Sequence, residues 1–181
     1  MTQLRAQLST LLIIDIQERL FPAIHDNESV LEHSAWLLAI ARRLGVPVLA
    51  TEQYPKGLGP TLPALRDGLA EAEVLEKIAF SAVADPGLLQ MPGGERRQFV
   101  VGGTEAHVCV LQTVLGLLAE DREVFVVEEA VGSRQPRDKA LALKRMRQAG
   151  AVIVSREMVA FEWLERAGTE SFREISRQFI R

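Results

Sequence analysis

The chain is poor in cysteine, histidine and aromatic side chains, and it has no long apolar run. A single cysteine, Cys109, cannot close an internal disulfide, so a reduced thiol in the cytoplasm is expected. The apolar runs are five or six residues long, against the roughly 20 that a bilayer span requires. The opening stretch MTQLRAQLSTLLIID leads into an apolar run without a small-residue cleavage site, so no leader is expected. Lysine and arginine form no block and the formal net charge is −3, which leaves no electrostatic basis for a nucleic-acid or membrane partner. Neither G-x-G-x-x-G nor G-x-x-x-x-G-K-[ST] follows any apolar run, which counts against a nucleotide-binding protein. There is no repeat, low-complexity tract or long linker. A chain of 181 residues, 48% hydrophobic, is therefore read as one globular domain over residues 1–181.

What is present is alternation. Short apolar runs, TLLIID (10–15), PVLAT (47–51), FVVGG (99–103), EVFVVE (123–128) and AVIVS (151–155), read as strands buried on both faces, with EVLEK (73–77) as a weaker sixth. Between them lie segments of helical spacing at 29–45, 107–121 and 136–150, the first and third stopping at Gly45 and Gly150. The proline and glycine clusters at 55–63 and 86–94 read as loops. Strand–helix alternation with right-handed crossovers predicts a three-layer α/β/α sandwich on a parallel sheet. In the C-terminal stretch, Phe172, Ile175 and Phe179 recur at helical spacing, either to pack on the sheet or to contact another subunit.

Open parallel sheets bind ligands beyond the carboxyl ends of their strands. There the sequence puts Asp15, Thr51 and Glu52, Lys77, the stretch from Gly103 to Cys109, and Glu128 and Glu129. Asp15, Lys77 and Cys109 are an acid, a base and a nucleophile on one edge. A thiol attacks as its thiolate, and the first turn of the helix begun near Ala106, with Lys77 beside it, favours the anion. Asp15 can hold Lys77, and it can take the thiol proton and return it to a leaving group. Backbone N–H groups before Cys109 can receive an oxyanion. Each residue also has a plainer role: Cys109 as a buried filler, Asp15 as a turn former, Lys77 as a solvated side chain.

Three pieces, LLIIDIQ (11–17), KIAFSA (77–82) and GTEAHVCVLQT (103–113), resemble the isochorismatase-like hydrolases, also called the cysteine hydrolase fold. The segments at 51–65 and 126–164 are similar to the branch of isochorismatase domain-containing proteins. The resemblance implies a six-stranded parallel sheet with helices on both faces and a homo-oligomer, dimer or larger. It makes Cys109 the nucleophile, Asp15 the general base and Lys77 the group that holds Asp15 and stabilises the thiolate. It also implies a cis peptide between Thr104 and Glu105, with the N–H groups of Glu105 and Cys109 as the oxyanion hole. Gln17, Phe21, Glu52, Gln53, Tyr54 and Phe80 are the expected substrate contacts.

Members that are nicotinamidases carry an Asp-x-His pair after the second strand. TEQYPKGLG has no histidine there, so neither metal nor other cofactor is expected. The resemblance implies that true isochorismatases lack a cysteine at this position, so Cys109 argues against isochorismate as substrate and for hydrolysis of a small amide or other C–N bond through a thioester. The alternative is a non-catalytic protein that keeps the fold for interaction or oligomerisation. His33 is expected to be structural or exposed. His107 is left between packing and pocket, and Arg134 between an anion or subunit contact and a structural salt bridge.

Overall fold

The computed structural model of the chain describes residues 3–84 and 87–180. Six parallel strands form one sheet: β1 (Ser9–Ile14), β2 (Val48–Gln53), β3 (Val74–Lys77), β4 (Gln98–Thr104), β5 (Glu123–Gly132) and β6 (Val152–Val154), in the order β3-β2-β1-β4-β5-β6. The order reverses between β1 and β4, and loops leaving those two strands part to opposite faces, which opens a crevice at their carboxyl ends.

Residues of β1, β2 and β4 are buried throughout, because helices cover both faces. Leu11 and Ile13 of β1, Val100 of β4 and Phe125 and Val127 of β5 meet α1 (Asn27–Leu44), α6 (Arg156–Leu164) and α7 (Glu170–Ile175). Leu12 and Ile14, Phe99 and Val101, and Val124 and Val126 point the other way, toward α4 (Leu111–Ala119) and α5 (Pro136–Ala149). The two-residue period of a strand divides one run of apolar residues between two cores.

Helix ends follow local chemistry. Gly45 closes α1 in a left-handed conformation, φ 67°, its N–H donating to the carbonyls of Ala41 and Arg42. Glu28 in the first turn and Arg42 and Arg43 in the last complement the helix dipole. Pro136 opens α5 and Gly150 ends it, while Ser155 caps α6 by accepting the N–H of Met158.

Four segments differ from expectation. Residues 55–63 hold two short helices, α2 (Pro55–Leu58) and the start of α3 (Pro63–Arg66), each opened by proline. In the second cluster Pro86 lies outside the described residues, and Leu88–Gln90 form a 3₁₀ turn. The helix expected from residue 107 begins as a wide π turn, Ala106–Val110, and only then becomes α4. Strand β5 runs on past Glu128 to Gly132, because after an irregularity between Val101 and Gly103 it pairs again with β4. The C-terminal apolar residues turn inward: Ile175 is fully buried, and Trp36 of α1 donates Nε1–H to the carbonyl of Phe179 at 3.0 Å.

Candidate active site

Strand register assembles the site. Ile14 pairs with Thr51 on one side and with Gly103 on the other, and Gln53 pairs with Lys77. Gly103 has φ 122°, and a Cβ there would stand 2.1 Å from the Ile14 carbonyl oxygen, so only glycine permits this approach of β4 to β1. Asp15 leaves β1 with φ 51°, a left-handed conformation that aspartate tolerates better than most residues. Its backbone is clamped on both sides: Asp15 N–H donates to the Thr51 carbonyl at 3.1 Å, and the Thr104 hydroxyl donates to the Asp15 carbonyl at 2.7 Å.

The side chains then form a closed polar set. Lys77 Nζ lies 2.8 Å from Asp15 Oδ2, and neither side chain has any accessible surface. Thr51 donates its hydroxyl to Asp15 Oδ1 at 2.6 Å. Lys77 Nζ also donates to Gln53 Oε1 at 2.6 Å, the Phe80 carbonyl at 3.1 Å and, more weakly, that of Ala79 at 3.4 Å. Three ammonium hydrogens thus face four oxygens, and Lys77 acts on its neighbours as a fixed charge. A buried pair of this kind is tolerable because its remaining donors and acceptors are satisfied.

Cys109 sits beside this pair, buried at 5% exposure, its Sγ 3.9 Å from Gln53 Oε1. Burial, then the Asp15 carboxylate, push its thiol up to about 12, against a smaller pull from Lys77. The thiolate favoured by helix start and ammonium is therefore not the resting state: desolvation outweighs both. The wide turn shapes the backbone here. The N–H groups of Val108 and Val110 both donate to the Glu105 carbonyl, at 3.0 and 3.2 Å, stepping over that of Cys109. The Thr104–Glu105 peptide is cis.

The expected substrate contacts divide. Tyr54 and Phe80 are each 52% exposed, at the carboxyl ends of β2 and β3 around Lys77. Gln17, Glu52, Gln53 and Phe21 are less exposed and engage other protein groups. Gln17 has no surface: its Nε2 donates to the carbonyls of Gln53 and Gly59, and its Oε1 accepts the Gln53 N–H, which ties the end of β2 to the following loop. Glu52 alternates to the opposite side of β2 from Thr51 and Gln53 and accepts the Thr61 N–H at 2.7 Å. Gln53 spends both amide atoms inside the protein, Nε2 on the Ile78 carbonyl and Oε1 on Lys77. Phe21 packs on the core under α1. His107 bonds Ser133 Oγ through Nδ1 at 3.0 Å, and Arg134 pairs with the Glu105 carboxylate at 2.8 Å. His33, within α1, is partly buried, and burial lowers its pKa. Among the described residues, no group of three His, Cys, Asp or Glu side chains lies together as metal ligands. Thr51 and Thr104 lie on the edge where the sequence puts ligands, but the sequence gives neither a task. The signal for Thr51 was a polar residue ending an apolar run, but its partner depends on register.

An isochorismatase domain model matches residues 9–158. The chain belongs to the isochorismatase family. It is 39% identical to isochorismatase domain-containing protein 2 of Macaca fascicularis over 171 residues, which cover 93% of this chain and 82% of the relative. Among solved structures, a MAR1 ribonuclease from Caenorhabditis elegans superposes with a TM-score of 0.91 at 34% identity, covering 99% of this chain and 93% of the other. The YcaC protein of Escherichia coli, described as an octameric hydrolase of unknown specificity, shares the fold with a TM-score of 0.86 at 23% identity, over 92% of this chain and 84% of its own. The sandwich on a six-stranded parallel sheet is thus the isochorismatase-like fold.

Proposed function

We propose that this member of the isochorismatase family is a cysteine-dependent hydrolase of a small amide or other C–N bond, using Asp15, Lys77 and Cys109 and requiring no metal or other cofactor. The observation that carries the reading is a carboxylate–ammonium pair with no accessible surface, 2.8 Å apart, acting on the chain's one thiol at the carboxyl edge of the sheet. An ion pair costs several kcal/mol per charge to desolvate, and nothing about sheet packing requires one there.

Because the resting thiol is protonated, attack and proton transfer go together. Asp15 takes the Sγ–H proton as Sγ bonds to the substrate carbonyl carbon, giving a tetrahedral adduct whose oxyanion the N–H groups of Glu105 and Cys109 receive. The C–N bond breaks as Asp15 returns the proton to the departing nitrogen, leaving a thioester. Asp15 takes a proton from water as its oxygen adds to the thioester carbon and gives it to sulfur as the adduct collapses, which releases the acid and restores the thiol. Lys77 stays protonated throughout and offsets the charge on sulfur or Asp15. Tyr54 and Phe80 flank the opening as apolar walls.

The test is turnover of a panel of small amides by wild type and Cys109→Ala, with acyl-enzyme trapped and weighed by mass spectrometry. We expect an adduct on Cys109 and a loss on the order of 10³-fold or more in a folded variant. Turnover kept in Cys109→Ala would overturn the covalent mechanism. A non-catalytic copy of the fold would also bury a thiol pushed up to about 12, and would show no adduct with any substrate.

The other parts of the proposal are a single domain over residues 1–181, a cytoplasmic setting and a homo-oligomer. No described helix is long and apolar enough to cross a membrane. The C. elegans relative is described as a ribonuclease. For this chain, a net charge of −3 without a basic block supports a small-molecule substrate rather than a polyanion.

A further inference from the structure

We propose that Gln53 is a positioning residue of the site: its side-chain oxygen holds the Lys77 ammonium toward Asp15 and gives the resting Cys109 thiol a neutral acceptor. This rests on the reading of Cys109 as the nucleophile. It assigns Gln53 a task other than substrate contact.

The amide can face only one way. Nε2 lies 2.7 Å from the Ile78 carbonyl oxygen, which needs a donor, and Oε1 lies 2.6 Å from the Lys77 ammonium, which needs an acceptor. Turned over, the amide would set NH₂ against NH₃⁺ and oxygen against oxygen. The backbone of Gln53 is equally fixed, its N–H donating to Gln17 Oε1 at 2.8 Å and its carbonyl accepting Gln17 Nε2–H at 3.1 Å. So Oε1 is a rigid dipole end, and it points at two groups of the site: Lys77 Nζ, its shortest contact, and Cys109 Sγ at 3.9 Å.

Consequences follow for both. An ammonium hydrogen committed to Oε1 is not available to sulfur, so Lys77 acts on Cys109 more through charge than through its hydrogen bond to sulfur. A neutral oxygen beside Sγ accepts S–H and repels S⁻, which favours the protonated thiol until a substrate carbon arrives. The charged groups that act on the thiol are Asp15 from β1 and Lys77 from β3. His107, on the cysteine's own turn, is bonded to Ser133.

The test is the rate of Cys109 alkylation by iodoacetamide at pH 8 in wild type, Gln53→Glu and Gln53→Met, each checked for folding by circular dichroism. The chain has one cysteine, so the reaction reports that thiol alone. Glutamate adds a negative charge beside sulfur, and we expect alkylation at least ~10-fold slower. Methionine removes the acceptor without adding charge, which frees an ammonium hydrogen for sulfur, and we expect alkylation about threefold faster or more. A merely structural role would loosen both variants and speed both reactions. Equal rates in all three proteins, or changes of the same sign in both variants, would overturn the proposal. If the methionine variant does not fold, the isosteric glutamate variant decides: slower supports, unchanged or faster overturns. Amide hydrolysis kept in Cys109→Ala would instead remove the nucleophile reading, and the alkylation rates would still measure the hold of Gln53 on the thiol.

Discussion

Burial and Asp15 push the Cys109 thiol up to about 12, whereas an unfolded cysteine ionises near ~8.5. Between these values the folded chain keeps a proton that the unfolded chain has lost. The native state then binds more protons, and stability falls as pH rises, by about 1.4 kcal/mol per pH unit from this one group. The contribution is complete below the unfolded value and is lost through the window up to about pH 12. Urea unfolding of wild type and Cys109→Ala at pH 8, 9 and 10 checks this. The wild type should lose stability relative to the variant by roughly that slope above pH 9, and parallel profiles would mean the thiol is not held protonated. At this scale the sequence was informative about which residues gather, since Asp15, Lys77 and Cys109 each follow or end a strand. It gave no task to Thr51, and to Gln53 only a substrate contact implied by the resemblance. Both lie on the same side of β2, but which residue each one meets depends on register with β1 and β3, and no local pattern encodes that.

Elements were legible where hydrophobic period and end signals agree, as in α1 and α5, whose stops at Gly45 and Gly150 are left-handed caps. They were not legible where the outcome depends on a neighbouring strand. The apolar spacing of residues 106–118 is the same for a regular helix and for a π turn followed by one. Two glutamates at 128 and 129 look like a strand end, yet pairing with β4 carries β5 on to Gly132. Glycines illustrate the same division. Gly45 has open space around it, and Gly45→Ala meets only the strain of φ 67°, on the order of 1 kcal/mol. Gly103→Ala meets both φ 122° and backbone of β1 closer than any real Cβ contact. It should cost more than about 4 kcal/mol or prevent folding. Thermal unfolding of the two variants side by side reads the difference, and a mild Gly103→Ala would mean that β1 and β4 can separate at the site without loss of the fold.

At the scale of the molecule, the surface left open is uneven. Seven large apolar side chains are exposed among the described residues, and three of them, Tyr54, Ile78 and Phe80, stand where β2 and β3 end, around Lys77. Ile78 is 73% exposed, and β3, with four residues, is one edge of the sheet. Clustered apolar surface marks a contact, and an edge strand beside it is a place that proteins cover. The homo-oligomer proposed above supplies a cover, and Ile78 is the residue whose replacement costs the isolated fold least. Ile78→Glu should therefore leave the folded content unchanged by circular dichroism and shift the sedimentation coefficient toward that of a 20.0 kDa monomer. If the coefficient does not move, the subunit contact lies elsewhere and these side chains belong to the substrate opening alone. Amide turnover in the same variant separates the two roles. Loss of turnover with the assembly intact assigns Ile78 to the opening, and loss of both means that the opening is completed by the neighbouring subunit.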